Sequence, residues 1–420
     1  MPRPFRFTSD GSYRWWVLAL LFGASFLNYF DRQTVSVLKT TLKAEYGLDD
    51  AAYALLVNVF TGCYAAAYIG SGWLVDRMGP RHALALFASV WSLATVACGA
   101  AATFVQLVLM RGLLGLAEPG NHPVAIRVAT AWAPARRRGL FMSLCGFGSS
   151  VGAVAAPPVI AFLALEYHWR IAFVVPGVLG LVLAAVWWLT YRDPAPLEST
   201  GQAAVAAVPS LRWGALWRHP AVWGIVLCRL ISDPVWYFCL FWLPGYLQEQ
   251  KGATMADLGW LGWLPFLAAN VGALAMSALS DRLAHGAADP LAARKRLLLV
   301  VSAAGPICLA VPQAPNLITT LALFCVIAIV CNSWLSTLAP IIAEVFPLGN
   351  VASVWGIAGA FGATGAMVFN YVIGHAAETI GLTTLFIVMG ALHPCAAVLL
   401  HVLVRRRAID PHPEVQAQNA

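Results

Sequence analysis

The sequence predicts an all-α polytopic membrane protein with twelve transmembrane helices in two six-helix bundles. Three observations carry this prediction. First, 60% of the 420 residues are hydrophobic and only 11% are charged, whereas a soluble domain has roughly 25% charged residues. Second, about twelve apolar runs in the chain approach or exceed the ~20 residues that a bilayer-spanning helix needs. Third, an Asp-Arg pair follows the second run of each half, which indicates two parallel repeats.

Each predicted span is a predominantly apolar run. The ninth is the shortest, and the connections leave little chain for a separate soluble domain. In order, the runs cover residues 15–38, 51–75, 83–101, 104–129, 139–164, 170–191, 220–247, 258–280, 297–313, 316–342, 350–375 and 381–404.

The longest connection divides the runs six and six. Asp76-Arg77 and Asp281-Arg282 lie 205 residues apart, each after the second run of its half. We therefore predict an N-terminal bundle (1–191), a cytoplasmic linker (192–219), a C-terminal bundle (220–404) and a cytoplasmic tail (405–420). Small residues let helices approach closely and slide. The Gly- and Ala-rich fifth and eleventh runs are therefore predicted to form the moving contact between the bundles.

The basic residues predict the orientation. Of the 26 Lys and Arg residues, 18 fall on the side that holds both termini, and four fall on the other side: Lys39, Lys43, Arg170 and Lys251. The positive-inside rule then places both termini in the cytoplasm. The net charge of +7 comes from these loops, so no nucleic-acid partner is expected. We expect a monomer in a bacterial inner membrane.

The nine cysteines all lie in apolar runs, without the spacing of a metal site. Small buried apolar side chains are their predicted use. No metal and no cofactor are expected, and the lipid bilayer is the expected environment of the chain.

Four charges interrupt two of the N-terminal runs: Asp31, Arg32, Arg111 and Glu118. A charge near the centre of a span costs ~2.5–3.5 kcal/mol on the lenient insertion scale, and charges kept at that cost usually handle ions or polar substrates. Arg111 and Glu118 are seven residues apart, so on a continuous helix they share a face with an axial separation of ~10 Å. We expect these two to pair, with the cluster binding a proton and an anion. The alternative is a buried structural ion pair between the first and fourth spans.

In the seventh run, Arg229 and Asp233 are one helical turn apart on one face. Arg229 is predicted to hold part of an anion and Asp233 to bond a hydroxyl or gate the site. A self-neutralising pair is the alternative. Trp236 and Trp334 also lie within runs, where each can stack on the apolar face of a sugar or pack in the core.

The connection after the second run carries a family resemblance. Its sequence, Gly72-Trp73-Leu74-Val75-Asp76-Arg77-Met78-Gly79-Pro80-Arg81, resembles the signature loop of the major facilitator superfamily. The resemblance implies a conformational role, not substrate contact, for Gly72, Asp76, Arg77, Gly79 and Arg81. The alternative is a solvated turn that only obeys the charge rule.

Further motifs resemble the anion:cation symporter branch of that superfamily, and within it the bacterial hexuronate transporters. They are Asn28-Tyr29-Phe30-Asp31-Arg32, Arg111-Gly112-Leu113-Leu114-Gly115-Leu116-Ala117-Glu118-Pro119, Gly148-Ser149-Ser150-Val151-Gly152, Arg229-Leu230-Ile231-Ser232-Asp233-Pro234-Val235-Trp236 and Ala352-Ser353-Val354-Trp355-Gly356-Ile357-Ala358-Gly359.

This resemblance implies that Tyr29, Arg32 and Tyr64 contact the substrate and that Asp31 and Glu118 carry protons. Ser149 joins the substrate set through its motif. The chain departs from the branch in lacking an asparagine among the eleventh-run glycines, for which Asn370 is the expected substitute.

The expected function is proton-coupled symport of a small organic anion, a hexuronate or similar sugar acid, by alternating access. One alternative is a phosphate-ester antiporter that uses Arg32 and Arg229, but such a site would not need Asp31 and Glu118. A proton/drug antiporter usually has Gly-Pro and further glycines in the fifth span, where this chain has Gly152 followed by Ala153. A polytopic enzyme or a sensor is also disfavoured, because no catalytic cluster and no added domain are visible.

Overall fold

The computed structural model describes residues 10–132, 138–193 and 213–405, and within these ranges the chain forms α-helices, short 3-10 turns and connections, with no β-strand. The predicted linker therefore lies largely outside the described residues, as does nearly all of the predicted tail. The helices are α1 (Asp10–Val37), α2 (Lys39–Tyr46), α3 (Asp50–Ala100), α4 (Phe104–Ala117), α5 (Asn121–Trp132), α6 (Arg138–Glu166), α7 (Ile171–Thr190), α8 (Trp213–Arg218), α9 (Pro220–Phe241), α10 (Leu243–Lys251), α11 (Met255–Leu261), α12 (Leu264–His285), α13 (Pro290–Ser302), α14 (Leu317–Val345), α15 (Leu348–Ile380) and α16 (Leu382–Leu403).

All twelve predicted spans are helical. In the described chain, nine stretches are long and apolar enough to cross a membrane. The other three passes are α1, the pair α4 and α5, and α13 with the 3-10 turn Gly305–Ala310 that follows it. These three passes are less continuously apolar or helical than the other nine. α1 carries Asp31 and Arg32, and 3-10 turns interrupt the other two.

Contacts between residues divide the chain into two compact units. Unit 1 comprises Met1–Ala195, Phe238–Leu267 and Asn370–Ala376, and unit 2 comprises Pro196–Tyr237, Ala268–Phe369 and Ala377–Ala420. Unit 1 thus joins the first six spans to α10, α11 and one end of α15. The division at 191 and 220 stays a prediction from the sequence.

The second and third spans are two arms of α3, joined by a kink at Gly79. Gly79 has φ 77° and ψ 158°, a backbone conformation that residues with a Cβ rarely adopt. The indole of Trp187 on α7 donates to the carbonyl oxygens of Pro80 and Arg81 at 3.3 and 3.2 Å. The signature loop therefore bends at a position that requires glycine and is held by the sixth span.

Glycines of the fifth and eleventh spans make close helix contacts, but not with the helices expected. A Cβ on Gly152 of α6 would overlap the carbonyl oxygen of Phe26 on α1, and one on Gly365 of α15 would overlap the carbonyl oxygen of Leu230 on α9. Both contacts join helices of the same predicted bundle. The prediction that these glycines form the contact between bundles is therefore wrong for Gly152 and Gly365, which pack their own bundle.

Candidate functional site

The centre of the candidate site is a buried ion pair between the first and fourth spans. Nε of Arg32 donates to Oε2 of Glu118 at 2.6 Å, and the Glu118 side chain is fully buried, whereas 14% of the Arg32 side chain is accessible. Asn28 links the two residues, because it accepts from Nη2 of Arg32 and donates to the backbone oxygen of Glu118, each at 3.2 Å. The guanidinium thus has one side bound to protein and another side accessible to a ligand.

Glu118 occupies this place because the fourth span breaks there. α4 ends at Ala117, and Glu118–Gly120 form a 3-10 turn before α5 begins. Pro119 supplies no backbone N–H for a continuing helix, and a Cβ on Gly120 would overlap the ring of Phe87. The break lets the α3 ring pack against the chain and directs the carboxylate toward α1.

Aromatic rings surround the Arg32 guanidinium. Its Cζ lies 4.4 Å from the ring centroid of Tyr64, 5.5 Å from that of Tyr29 and 5.7 Å from that of Phe60. Tyr29 and Tyr64 are thus brought to the arginine as predicted. Flat aromatic faces beside a guanidinium suit a ligand with a carboxylate and an apolar sugar face.

The aromatic row continues beyond Tyr64. The rings of Tyr64 and Tyr68 lie 5.9 Å apart, and the Tyr68 ring stacks on His122 at 6.5 Å. Tyr68 was not singled out from the sequence, although its i, i+4 spacing from Tyr64 is the available signal. The row leads from the arginine along α3 to α5.

Arg111 does not pair with Glu118, so that prediction is wrong. Its guanidinium lies over the Phe60 ring at 4.4 Å, and Nη1 donates a long bond of 3.4 Å to the backbone oxygen of Asp31. Nε and Nη2 have no hydrogen-bond partner among the described residues, and the residue is fully buried. The physical reason is that Arg32 already holds the carboxylate, and the helix on which a shared face was assumed ends before Glu118.

Asp31 is the second buried carboxyl group. It is 1% exposed, and neither carboxylate oxygen has a hydrogen-bond partner in the described chain. The Thr95 hydroxyl on α3 lies close enough to interact with this carboxyl group, and it also donates to the Trp91 carbonyl oxygen at 3.0 Å. An ionised carboxylate with so few hydrogen bonds is costly in such a place.

Ser149 belongs to a small polar row beside this cluster. Its hydroxyl donates to the backbone oxygen of Ser25 at 3.4 Å, and the amide of Asn121 donates to the Ser25 hydroxyl at 3.0 Å. Asn121 directly follows the turn that holds Glu118. The row therefore connects the fifth-span motif to the buried ion pair through the first span.

In unit 2, Arg229 and Asp233 form the predicted i, i+4 pair. Nε and Nη2 of Arg229 both donate to Oδ2 of Asp233, at 2.9 and 2.5 Å. The guanidinium lies 5.0 Å from the Trp355 ring, and a Cβ on Gly362 would overlap the Asp233 carboxylate. In this conformation the pair is self-neutralised, with the arginine resting on an aromatic face of the eleventh span.

The remaining predicted contacts lie in different surroundings. Trp334 is 1% exposed within the hydrophobic core of unit 2 and meets the ring of His393 edge-on at 5.7 Å. Asn370 is fully buried, accepts from the Trp242 indole at 2.9 Å and donates to Asn58 at 3.2 Å. Trp236 is partly exposed on α9. The structure thus gives Trp334 a packing role and engages Asn370 with protein partners.

The signature loop has a partner that sequence reasoning missed. Nη1 of Arg127 on α5 donates to Oδ1 of Asp76 at 3.0 Å and to the carbonyl oxygens of Val75 and Asp76, each at 3.1 Å. Arg81 donates to the carbonyl oxygen of Trp188 at 2.9 Å. Arg77 lies over Trp73 at 5.4 Å. The loop is therefore tied to the ends of the fourth and sixth spans. Its conformational role stays a prediction.

No group of three or more His, Cys, Asp or Glu side chains within the described ranges is arranged to hold a metal ion. The nine cysteines are free thiols.

The chain is similar to curated bacterial transporters. It is 33% identical over 331 residues to the "Probable L-galactonate transporter" of Escherichia coli (strain K12), covering 74% of this chain and 72% of the relative. It is 24% identical over 411 residues to the "Hexuronate transporter" of the same strain, covering 94% of each. It is also 25% identical to the "Galacturonate transporter" of Dickeya chrysanthemi over 62% of this chain and 79% of that one.

Solved structures share the fold. A bacterial homolog of the human lysosomal transporter Spinster, described as inward-facing and unoccupied, has a TM-score of 0.72 at 21% identity and covers 93% of this chain and 95% of its own. The D-xylose-proton symporter has a TM-score of 0.72 at 17% identity, with 93% and 98% covered. Residues 21–339 match the family model of the Major Facilitator Superfamily. The chain is therefore a multi-pass membrane transporter, not an enzyme, and it belongs to the Major Facilitator Superfamily.

Proposed function

We propose that this transporter carries an organic anion, a hexuronate or related sugar acid, inward together with protons by alternating access. The observation that carries the proposal is the 2.6 Å pair between Arg32 and the buried carboxylate of Glu118. In this pair the Glu118 carboxylate binds the Arg32 guanidinium, to which an anionic substrate would also need to bind. A proton on Glu118 removes that competitor.

The coupling follows from the charges of this pair. When Glu118 is ionised, Arg32 is neutralised, and a second carboxylate gains little by approaching it. When Glu118 is protonated, Arg32 lies unneutralised in the membrane interior, which is expensive, and a substrate carboxylate relieves the cost. Proton and anion thus favour each other's binding, as a symporter requires.

Asp31 and Arg111 extend this arrangement below the pair. Asp31 offers a second carboxyl group for a proton, and the Arg111 guanidinium donates to the backbone oxygen of Asp31 and lies over the Phe60 ring. We assign Asp31 and Glu118 to proton coupling. Arg111 keeps the region favourable for an anion while Arg32 exchanges partners.

The chemistry around Arg32 favours a sugar acid over a simple anion. A guanidinium binds a carboxylate through two parallel hydrogen bonds, and Tyr29 and Tyr64 present ring faces and hydroxyls beside it. The similarity to a hexuronate transporter and a galacturonate transporter agrees with this class. The bonds between Arg229 and Asp233 mean that a C-terminal contact would require that pair to open.

The phosphate-ester antiporter gains no support from the site. It would use Arg32 and Arg229 together, and each of them is paired with a carboxylate, so binding would require both pairs to open. The two buried carboxyl groups near Arg32 also work against a dianionic phosphate. For the cell, we propose the inner membrane with both termini in the cytoplasm, and a monomer as the working unit.

Carboxylate recognition predicts a clear order among sugars. Glucuronate and galacturonate should displace a bound reporter substrate from the purified protein, and glucose and galactose should not. A neutral sugar leaves the desolvated guanidinium without its anion, and an unpaired buried charge is costly. Binding should also be tighter at mildly acidic pH, because protonated Glu118 no longer occupies Arg32.

The measurement is a competition series at two pH values, followed by uptake into proteoliposomes with and without an imposed inward proton gradient. We expect accumulation of the sugar acid only with the gradient. Equal displacement by glucose and glucuronate would reject the organic-anion function and favour a neutral-sugar porter on the same fold. Accumulation that ignores the pH gradient would reject proton coupling.

A further inference from the structure

A second charged cluster lies away from the Arg32 site, within unit 1. Nζ of Lys39 lies 2.9 Å from Oδ1 of Asp50 and 2.9 Å from Oε2 of Glu249. Nζ of Lys43 lies 2.9 Å from the same Asp50 oxygen and 3.1 Å from Oε1 of Glu249. Only 2% of the Lys39 side chain is accessible. Two ammonium groups and two carboxylates thus form a closed square at the side predicted to be external.

The square joins segments that are far apart in the sequence. Lys39 and Lys43 lie on α2 after the first span, and Asp50 begins α3. Glu249 lies on α10, after the seventh span. The hydroxyl of Thr40 on α2 donates to Gln248 on α10 at 2.7 Å, beside the square. The end of the seventh span is therefore held to the beginning of the second by charge and hydrogen bonds together.

The Lys39 side chain is closely packed in addition to being paired with two carboxylates. Its ammonium lies 4.7 Å from the Trp242 ring and 5.4 Å from the Tyr53 ring, and a Cβ on Gly245 would overlap its Cδ. The Tyr53 hydroxyl donates to the backbone oxygen of Phe241 at 2.7 Å, where α9 gives way to α10. Trp242 and Gly245 at the end of the seventh span therefore pack against the Lys39 side chain.

The eleventh span joins the same assembly through Trp242. The indole that covers Lys39 also donates to Asn370 on α15, which in turn donates to Asn58 on α3. Asn370 was expected to contact substrate, but here it completes a polar link among the second, seventh and eleventh spans. We call the square with its Trp242–Asn370–Asn58 link the outer latch.

The energetics distinguish this latch from an ordinary surface ion pair. Exposed pairs contribute ~0–1 kcal/mol, but removing one partner of a buried pair leaves an uncompensated buried charge. For Lys43, burial lowers the pKa, but the hydrogen bonds and charges of Asp50 and Glu249 outweigh it and leave the pKa raised. The Lys43 ammonium group therefore stays charged at physiological pH and remains paired with both carboxylates.

We propose that Lys39 and Glu249 are positioning residues of transport: the outer latch sets how often the external ends of the first, second, seventh and eleventh spans separate. The inference rests on the alternating-access function proposed above. It is independent of the substrate, because every contact in it is within the protein. Opening the external end requires Glu249 to leave two ammonium groups at once.

The test is hydrogen–deuterium exchange of the purified full-length protein without substrate. Glu249→Gln should speed exchange by roughly ten- to hundredfold, the scale of losing a charge-assisted hydrogen bond, in residues 39–58, 241–251 and 370–376. Glu249→Asp, which keeps the charge, should restore most of the protection. Gly245→Leu, which displaces Lys39 and leaves all four charges in place, should give the same pattern as Glu249→Gln.

Glu344→Gln is the matched control, because Glu344 pairs with Arg294 at 2.7 Å in unit 2, is about as accessible as Glu249 and lies outside all three segments. It should leave these three segments unchanged. A general loss of stability would instead raise exchange throughout α7 and α14. Unchanged exchange in both Glu249→Gln and Gly245→Leu, or a rise spread over the whole chain, would overturn the proposal. Failure of sugar-acid uptake would not affect this result, so the two proposals can fail separately.

Discussion

Glu118→Gln is expected to abolish accumulation driven by a proton gradient and to preserve exchange of substrate across the membrane. Glutamine matches the neutral, protonated carboxyl group in shape and cannot release a proton. Arg32 in the variant is permanently free of its internal carboxylate, so substrate should bind well at every pH. Coupling to the proton gradient should be lost, because residue 118 can no longer release a proton before the empty transporter returns.

The measurement compares two assays on the same proteoliposomes: uptake against an imposed pH gradient, and counterflow of labelled substrate with no gradient. The wild type should show both, and the variant should show counterflow alone. Glu166→Gln is the control, since Glu166 ends α6 and is exposed, and it should behave as wild type. Gradient-driven accumulation by Glu118→Gln at the wild-type level would exclude Glu118 as the proton carrier.

The same substitution predicts a change in pH dependence. In the wild type, binding should weaken as the pH rises, because ionised Glu118 competes with substrate for Arg32. In Glu118→Gln this weakening should largely disappear, leaving only the contribution of Asp31. A binding series over several pH values measures the difference. An unchanged pH profile in the variant would assign the dependence to another group.

Sequence alone predicted the helices well because hydropathy reports burial in lipid directly. It also singled out Arg32 and Glu118, which the structure brings together, because charges are expensive in apolar runs and therefore conspicuous. The sequence could not show which arginine pairs with Glu118. Arg111 and Arg32 are chemically equivalent candidates for Glu118, and the outcome depends on a helix break at Pro119 and on where α1 lies.

The outer latch illustrates the same limit at longer range. Lys39 and Glu249 are 210 residues apart in the chain and look like ordinary charges of external loops. Nothing local distinguishes Glu249 from a solvated carboxylate, because its role comes from packing between segments. Asn370 was noticed only as a possible replacement for a missing asparagine, and its two protein partners became visible with the fold. Likewise, no role could be assigned to Arg127 from the sequence, and only the fold shows that it pairs with Asp76.

The second large effect is expected at Arg32. Arg32→Lys keeps a positive charge but loses the planar fork that grips a carboxylate through two bonds. Substrate affinity should therefore fall by ~1.5–3 kcal/mol, the scale of a charge-assisted hydrogen bond, or roughly ten- to hundredfold. Arg170→Lys, at the predicted external surface and paired with Glu45, is the matched control and should bind substrate as the wild type does.

Arg32→Ala separates a binding role from a structural one. It removes the anion contact and also leaves the buried Glu118 carboxylate without its cation, which favours a permanently held proton. If Arg32 only holds the first span to the fourth, the protein should lose thermal stability while the folded fraction binds substrate normally. If Arg32 binds the anion, Glu118→Gln on the Arg32→Ala background should restore stability, because no carboxylate is left unpaired, and should not restore affinity. Calorimetric titration and thermal unfolding of the single and double variants measure both quantities. Normal affinity in Arg32→Ala would show that the substrate carboxylate binds elsewhere.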